Sequence, residues 1–514
     1  MNEPVAICAL KRFVAENDRG IWKEKRRKLP PTGKRVAVIG SGPAGLVAAY
    51  YLAILGHSIT VFEKESKLGG MLRFGIPYYR LSEDALEKDI EEILNLGVEL
   101  KTNTKVGDGL RLADIKSGFD SVFIAVGASL SRKLNVEGVE ADGVLWGVDF
   151  LRDVSMGNPP AVKERVVVIG GGNVAIDVAL TALRIGAKDV QMACLEKREE
   201  MPAHKWEIDQ AEEEGIKIDV SWGPKRVLND NGKVSGIELM RCINVFDEDG
   251  RFNPSYNENE VKTIECDCVI MAIGQATDIS IIEEMLDIKH VRGVIGIDKD
   301  QSTGVKGIFA GGDVALVPGS VVDAVKMGRG AAIAIDRYLG GEGNIDETLT
   351  ELELRDPQIG KAEGFGNWSR ISIPSLPVED RKCNFNLVEQ LYSEEEAVKE
   401  ASRCLQCDLR LQISGIKLTP EHYIEFNAEN VSKVPGDAGV YQLLDKDKNV
   451  ISIKGAMNIR QELDREIQEN ENAKWFEWEA DEMFTKRESE FIQQYLQKYG
   501  KMPGGGMDEL DDLF

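Results

Sequence analysis

A glycine turn set between an apolar run and a helical stretch occurs twice in this chain, and that repetition limits the folds open to it. The first copy is Arg35-Val36-Ala37-Val38-Ile39, then Gly40-Ser41-Gly42-Pro43-Ala44-Gly45, then a helical stretch from Leu46 to Leu55. The second is Arg165 to Ile169, then Gly170-Gly171-Gly172-Asn173-Val174-Ala175, then a helix running to Arg184. A continuous apolar run suits a parallel strand covered on both faces. Two such units, starting at positions 35 and 165, require two nucleotide folds. The fold class expected is α/β, with two Rossmann-like dinucleotide-binding domains, the second inserted into the first, and a small C-terminal α/β domain.

Each turn glycine has its own physical reason. Gly40 allows the tight turn, Gly42 lets a pyrophosphate approach the backbone, and Gly45 lets helix and strand pack closely, with Pro43 and Ala44 opening the helix. The helix N-terminus offers N–H groups and a positive dipole end to phosphate. Glu63 follows the next strand, Ser58 to Phe62, and lies 23 residues after Gly40, where an acid can accept from both ribose hydroxyls; Lys64 is its neighbour. In the second unit Gly170, Gly172, Asn173, Val174 and Ala175 form the GxGxxA variant, and Glu196 lies 26 residues beyond Gly170. A carboxylate there binds the adenosine 2′- and 3′-hydroxyls and repels a 2′-phosphate, which arginines would clamp. The second cofactor is therefore expected to be NADH, with Lys197 and Arg198 close enough to keep NADPH open.

Length and charge set outer limits. A chain of 514 residues exceeds one core and suggests about two to four domains. A formal net charge of −24 opposes nucleic acid and anionic lipid, so no nucleic-acid partner is expected. No apolar run approaches the roughly 20 residues of a membrane helix, and Met1 to Lys28 has no apolar core between its charges. Neither membrane insertion nor export is expected, and the cytoplasm is the expected location. Eight cysteines, unevenly placed, suit thiols or metal ligands better than a disulfide scaffold.

The organisation read from the chain is an N-terminal arm at 1–33, whose Lys25-Arg26-Arg27-Lys28 reads as a solvated charge run. The first nucleotide domain takes 34–128 and 295–340, and the second takes 129–294. Residues 341–430 form a wrapping segment, 431–500 a small separate unit, and 501–514 an acidic tail.

Four further segments carry family resemblances. Ile308-Phe309-Ala310-Gly311-Gly312-Asp313 resembles the second FAD signature of flavoproteins with two dinucleotide domains, which implies that Asp313 binds the ribityl chain. By the same resemblance Ser320 to Ala332 is the helix facing the flavin pyrimidine, with Ser320 and Val321 at its start, where its dipole stabilises the negative charge of the reduced ring. Ala125-Val126-Gly127-Ala128 and Ala272-Ile273-Gly274-Gln275 resemble the paired crossings between the two domains. FAD is thus implied for the first site and the nicotinamide cofactor for the second.

Taken with Pro4-Val5-Ala6-Ile7, Leu10-Lys11-Arg12-Phe13, Gly69-Gly70-Met71-Leu72-Arg73-Phe74-Gly75-Ile76-Pro77, Glu199-Glu200-Met201-Pro202-Ala203 and Ala401-Ser402-Arg403-Cys404-Leu405-Gln406-Cys407, residues 3–408 resemble the glutamate synthase small subunit family. That resemblance implies an NAD(P)H-oxidising flavoprotein subunit of a larger redox complex, with Gly70, Met71, Leu72, Ile76, Pro77, Ala125 and Gly127 at the FAD. It implies electrons leaving FAD singly for iron–sulfur clusters. Two departures stand out. Leu195-Glu196 replaces the Arg-Arg pair usual in the family, and only Cys8 precedes the flavin fold where relatives carry a cysteine-rich domain. The clusters are then expected on a partner subunit, or the acceptor is a ferredoxin, in a hetero-oligomer. Cys404 and Cys407, with Cys383 and Cys8, are either an iron–sulfur site, inert thiols, or a site completed by the partner. Cys194, Cys242, Cys266 and Cys268 read as core residues. No cysteine pair follows Gly69-Gly70, so a disulfide reductase of the thioredoxin or glutathione type is excluded. Hydride transfer needs geometry rather than an acid–base side chain, so no catalytic residue is named and His204 reads as structural.

Gly439-Val440-Tyr441 resembles the first strand of a GIY-YIG nuclease-type domain, but Ile451-Ser452-Ile453-Lys454-Gly455 lacks the second tyrosine. With Arg460 and Glu488 or Glu490 near the positions of that fold's arginine and glutamate, the resemblance implies a degenerate docking domain. Two other functions remain open at this stage: a stand-alone NADPH-dependent reductase of a small organic substrate, and an assembly module with a structural flavin.

Overall fold

The computed structural model describes residues 3–247, 251–285, 287–316, 319–346, 368–404, 423–470 and 472–481, with 484, 487–488, 491–492, 495, 499 and 503 beyond them. The chain divides into two compact units, Met1–Pro357 with Glu363–Arg403, and Gln358–Ala362 with Cys404–Phe514. Among the described residues no helix is long and apolar enough to cross a membrane. Cys407, Glu490 and all of the acidic tail except Pro503 lie outside the described residues.

In the larger unit a parallel sheet runs in the order Ile308–Ala310, Ser121–Ile124, Arg35–Ile39, Ser58–Phe62, Glu99–Lys101. Successive side chains of a strand face opposite ways, and here both faces are covered. Val36 and Val38 pack with Leu52 and Ala49, whereas Ala37 and Ile39 pack with Ile115 and Ile308. That is why the strand reads as unbroken apolar sequence, and burying each such side chain contributes about 1.5–3 kcal/mol. Helix Pro43–Ile54 crosses helix Val321–Tyr338 through small residues, and a methyl group on Gly328 would stand 2.3 Å from the Ala44 carbonyl oxygen. The chain leaves this sheet and returns through a short antiparallel pair, Leu130–Ser131 with Gln275–Ala276.

Between those crossings lies the second parallel sheet, ordered Val144–Trp146, Cys268–Met271, Arg165–Ile169, Asp189–Cys194, Lys217–Val220. One face packs on helices Asn173–Arg184 and Gly147–Ser155 through Ile176, Leu180, Phe150 and Leu151. The other face is covered by an antiparallel sheet, Trp222–Asp230, Lys233–Phe246 and Phe252–Glu265, through Val227, Ile237, Leu239 and Ile264. The sequence reading assigned no such layer.

The N-terminal arm is fastened to the same unit. The Ala6 N–H donates to Glu400 Oε1 at 2.8 Å, and Arg403 bridges Glu400, at 2.6 Å, to the Glu3 carbonyl, at 2.8 Å. The basic cluster expected to be solvated is partly tied down as well. Arg26 lies 3.7 Å from Glu92, and Lys28 Nζ donates to the Leu96 carbonyl at 2.5 Å, while Lys25 and Arg27 stay exposed. A run next to an acidic helix end has partners that its own composition does not reveal.

The smaller unit has an antiparallel sheet, ordered Ile424–Glu425, Trp475–Ala480, Gly439–Leu444, Val450–Ala456, with helix Ile459–Glu469 against it. Tyr441, Leu443, Ile459, Leu463 and Phe476 form its core. The sheet reaches back to Ile424, upstream of the boundary expected at 431.

Candidate functional site

Both glycine turns deliver helices whose first N–H groups have no side-chain cap. Helix Pro43–Ile54 begins at Gly42 and helix Asn173–Arg184 at Gly172, and no side chain bonds either start. Helices Glu83–Leu94, Val321–Tyr338 and Glu394–Ala401 are instead capped by Ser82, Ser320 and Ser393. Uncapped N–H groups at the positive end of a dipole suit a phosphate. Space for one is present, because a methyl group on Gly42 or Gly172 would meet nothing within 4 Å. Behind the turns there is none. A methyl on Gly45 would lie 2.0 Å from the Gly40 oxygen, and one on Gly170, at φ 144°, would lie 2.2 Å from the Ala272 oxygen. The residues fit the pyrophosphate of a dinucleotide at both turns.

Each unit folds its acid over its own turn. Glu63 is buried, and its Oε2 accepts from Ser41 N at 3.0 Å and Ser41 Oγ at 2.5 Å, while Oε1 accepts from Glu65 N at 2.9 Å. Glu196 Oε2 lies so close to the second turn that a methyl on Gly171 would be 2.6 Å away. The two cations beside Glu196 are matched by acids, Lys197 with Glu200 at 3.3 Å and Arg198 with Glu212.

A cavity of about 380 Å³ runs from the first turn to the start of the helix that follows the second, at Asn173 and Val174. Of the expected FAD residues, Gly40, Gly42, Pro43, Ala44, Glu63, Lys64, Gly70, Met71, Leu72, Ile76, Ala125, Gly127, Gly312, Asp313, Ser320 and Val321 line it, and Gly45 and Pro77 do not. Asn173 and Val174 reach it from the second unit. Gly170, Gly172, Ala175, Glu196, Lys197, Arg198 and Gly274 stand outside its wall. Among the described residues no cysteine lines it. Asp313 sits with its Oδ1 accepting from Gly319 N at 3.3 Å, and burial raises its pKa, with the Gly319 N–H working against that rise and Asp323 adding to it.

Among the charged residues of this wall that sequence reasoning missed, Arg80, Asp177 and Glu207 form a cluster. Arg80 Nε donates to Asp177 Oδ1, Arg80 Nη1 lies 3.5 Å from Glu207 Oε1, and the Trp206 ring lies 5.4 Å from the guanidinium carbon. Burial raises the pKa of Asp177 against the pull of Arg80. Burial also raises that of Glu207, opposed by Arg80 and reinforced by Asp177. For Arg80 burial works against the charge, but Asp177, Tyr79 and Glu207 together overcome it and hold the guanidinium above its ordinary value. One signal was present in the sequence, an acid at 177 inside the apolar stretch Val174 to Leu180. His204 starts helix Lys205–Glu213, donates its backbone N–H to Asn173 Oδ1 at 3.0 Å, and stacks on Trp206.

The cysteines separate by environment. Cys194, Cys266 and Cys268 are buried, and burial is the main cause pushing their thiols up to about 12. Cys8, Cys383 and Cys404 are exposed, and no group of three or more metal-ligating side chains occurs among the described residues. Arg403, the neighbour of Cys404, holds the Glu3 carbonyl, so the arm that carries Cys8 runs beside this segment. In the smaller unit the Tyr441 hydroxyl donates to Glu466 Oε1 at 3.1 Å, Lys454 Nζ lies 2.6 Å from the same oxygen, and Arg460 donates to the Val434 carbonyl. The tyrosine and arginine singled out in the sequence are engaged within this unit.

Comparison with known proteins follows the same division. Residues 34–328 match the family profile described as pyridine nucleotide-disulphide oxidoreductase, and residues 419–498 match a domain of unknown function, DUF7508. The nuclease-type resemblance of the C-terminal unit finds no support in these matches. The chain is 36% identical over 441 residues to the NADP(+)-dependent formate dehydrogenase subunit beta of Moorella thermoacetica, covering 79% of this chain and 62% of that protein. It is 34% identical over 356 residues to the glutamate synthase [NADPH] small chain of Escherichia coli, covering 65% of this chain and 75% of that one. FprA of Mycobacterium tuberculosis, solved in complex with NADPH, matches in fold with a TM-score of 0.52 at 19% identity, over 61% of this chain and 85% of that one. With more than half its length matched by one family profile, and that match spanning both glycine turns and the cavity between them, the chain belongs to the pyridine nucleotide-disulphide oxidoreductase family.

Proposed function

We propose that the chain is the electron-input subunit of a larger redox complex, moving hydride from NADH to FAD and passing electrons to iron–sulfur clusters or a ferredoxin of a partner. The observation that carries this reading is a cavity joining the first glycine turn to the helix start after the second, whose wall among the described residues holds no cysteine. A nicotinamide reaching in from Asn173 and Val174 would meet a flavin lying against Met71, Leu72 and Ile76, and a dithiol acceptor has no place between them. FAD, when bound, accepts hydride and can release its electrons one at a time.

In this reading the N–H groups after Gly42 hold the FAD pyrophosphate and Glu63 the ribose. Asp313 meets the ribityl chain, and the helix that begins after Ser320 faces the pyrimidine. The N–H groups after Gly172 hold the second pyrophosphate. Glu196 takes the adenosine hydroxyls, and with Lys197 and Arg198 already matched by Glu200 and Glu212, a 2′-phosphate would meet a carboxylate before a cation. NADH is favoured on that ground, although the names of the two relatives above carry NADP. The C-terminal unit serves as a docking domain, and the complex works in the cytoplasm.

The test is steady-state oxidation of NADH by the purified chain with ferricyanide as a one-electron acceptor, alongside co-isolation from its native host. Fast ferricyanide reduction and a stable complex with a cluster-bearing subunit are expected. Efficient reduction of a small organic substrate by the isolated chain would contradict the proposal.

A further inference from the structure

The chain passes from the first nucleotide domain to the second and back through one antiparallel pair, Leu130–Ser131 with Gln275–Ala276. Two adjacent strands act as a hinge and leave one domain free to turn on the other unless something else fastens them. Three consecutive side chains of the flavin domain supply the fastening. Tyr78 Oη donates to the Ser155 carbonyl at 3.0 Å, at the end of helix Gly147–Ser155. Tyr79 Oη lies 3.2 Å from the Asp177 carbonyl and 3.4 Å from Thr181 Oγ1 on helix Asn173–Arg184, and the Arg184 guanidinium carbon sits 4.1 Å from its ring centre. Arg80 donates to Asp177 Oδ1 and, at 3.4 Å, to Gln210 Oε1 on helix Lys205–Glu213, with Glu207 Oε1 3.5 Å away. Tyr79 is 1% exposed and belongs to the core of the second domain, among Phe150, Ile176 and Leu180. Residues beyond the second domain back the same spot: Val388 N donates to the Tyr79 carbonyl at 3.0 Å, and Arg381 pairs with Glu213 at 3.2 Å.

We propose that Tyr78, Tyr79 and Arg80 are positioning residues that lock the nicotinamide domain in one orientation on the flavin domain, so that hydride transfer needs no domain swing. This deepens the hydride-transfer reading and rests on it. The lock lies next to both ligand walls. Tyr79 follows Ile76 of the flavin wall by three residues, and Asp177 follows Val174 of the nicotinamide wall by three. Hydride transfer needs its reacting atoms about 3–3.5 Å apart, and a misplacement of about 1 Å can cost about 100-fold. A turn about the hinge would move Asn173 and Val174 along the wall formed by Met71, Leu72 and Ile76 and misplace the two rings. Tyr78 and Tyr79 are not among the residues lining the cavity, so they act on the reaction through position alone.

The test uses the full-length, flavin-loaded protein, with flavin per chain read by absorbance and flavin bleaching followed by anaerobic stopped flow. NADH or NADPH, whichever reduces the flavin, is supplied at saturation. Tyr79→Leu, which removes the ring and the hydroxyl, is expected to lower the limiting bleaching rate per bound flavin by about 10- to 100-fold. Tyr79→Phe keeps the ring in the core and should stay within about 3-fold of wild type. A residue serving stability alone would change the bound flavin or the melting temperature and leave the rate per bound flavin where it was. A folded Tyr79→Leu protein whose limiting rate stays within about 2-fold of wild type would therefore overturn the assignment. Wild-type protein supplies a second reading that needs no substitution: hydrogen exchange of peptides covering 76–82 and 385–390, with and without oxidised nucleotide. The Val388 N–H, bonded to the Tyr79 carbonyl, is expected to exchange as slowly as strand Arg165–Ile169 in both states. Exchange as fast as that of an exposed loop, in either state, would also overturn it. A wild-type flavin that neither nucleotide bleaches would overturn the hydride-transfer reading itself, and this proposal with it.

Discussion

The role proposed for Glu196 in cofactor choice is tested most sharply by removing that residue. The hydrogen bonds from ribose hydroxyls to a carboxylate are together worth about 1.5–3 kcal/mol, so Glu196→Ala should lower kcat/KM for NADH by about 10- to 100-fold while changing that for NADPH little or raising it. Steady-state kinetics with both cofactors measure this. A second residue-scale expectation concerns Arg184, whose guanidinium meets Glu214 at 2.7 and 3.1 Å with both side chains fully buried. Arg184→Ala leaves the buried Glu214 carboxylate with only the more distant Arg381, at 3.9 Å, as a cation and should destabilise the fold by about 3 kcal/mol in a denaturant titration. The sequence announced Glu63 and Glu196 because their spacing from a glycine turn is set by one strand, one helix and the next strand. It was silent on Arg80 and Glu207. Arg80 meets Asp177 across 97 residues, and no local pattern encodes a pairing that forms only when two nucleotide units pack.

At the scale of elements, the parallel strands and both turn helices were legible because a strand covered on two faces must be apolar throughout. The helix read over Ser320 to Ala332 extends to Tyr338, since its later residues continue to bury Ile335 and Asp336. The antiparallel layer was not legible. Lys233–Phe246 and Phe252–Glu265 keep polar residues on their exposed positions and shift register at several points, which breaks the period-two alternation a strand shows in sequence. The contact of helices Pro43–Ile54 and Val321–Tyr338 yields a testable consequence. Gly328→Val drives a side chain into the Ala44 carbonyl and must push apart the two helices that carry the flavin turn and the Ser320 end. A loss of about 1–3 kcal/mol of stability, or more, is expected, together with a fall in bound flavin per chain read by absorbance.

For the molecule as a whole, the arm, the two nucleotide domains and helix Glu394–Ala401 form one unit that closes at Arg403. Glu400 accepts from the N–H groups of Ala6 and Ile371, so a chain ending at 346 loses the seat of its own N-terminal arm. Limited proteolysis should cut that truncated chain within residues 1–33 much faster than a chain ending at 403, which should keep its flavin. The central claim, that one cavity holds a flavin within hydride reach of a nicotinamide, is tested most directly by anaerobic titration. The purified flavoprotein is mixed with NADH and, separately, with NADPH, and the flavin absorbance is followed. Rapid bleaching by NADH, with NADPH slow or silent, is the expected result. Bleaching by NADPH alone would refute the role given to Glu196, and a flavin that neither nucleotide reduces would contradict the hydride-transfer account itself.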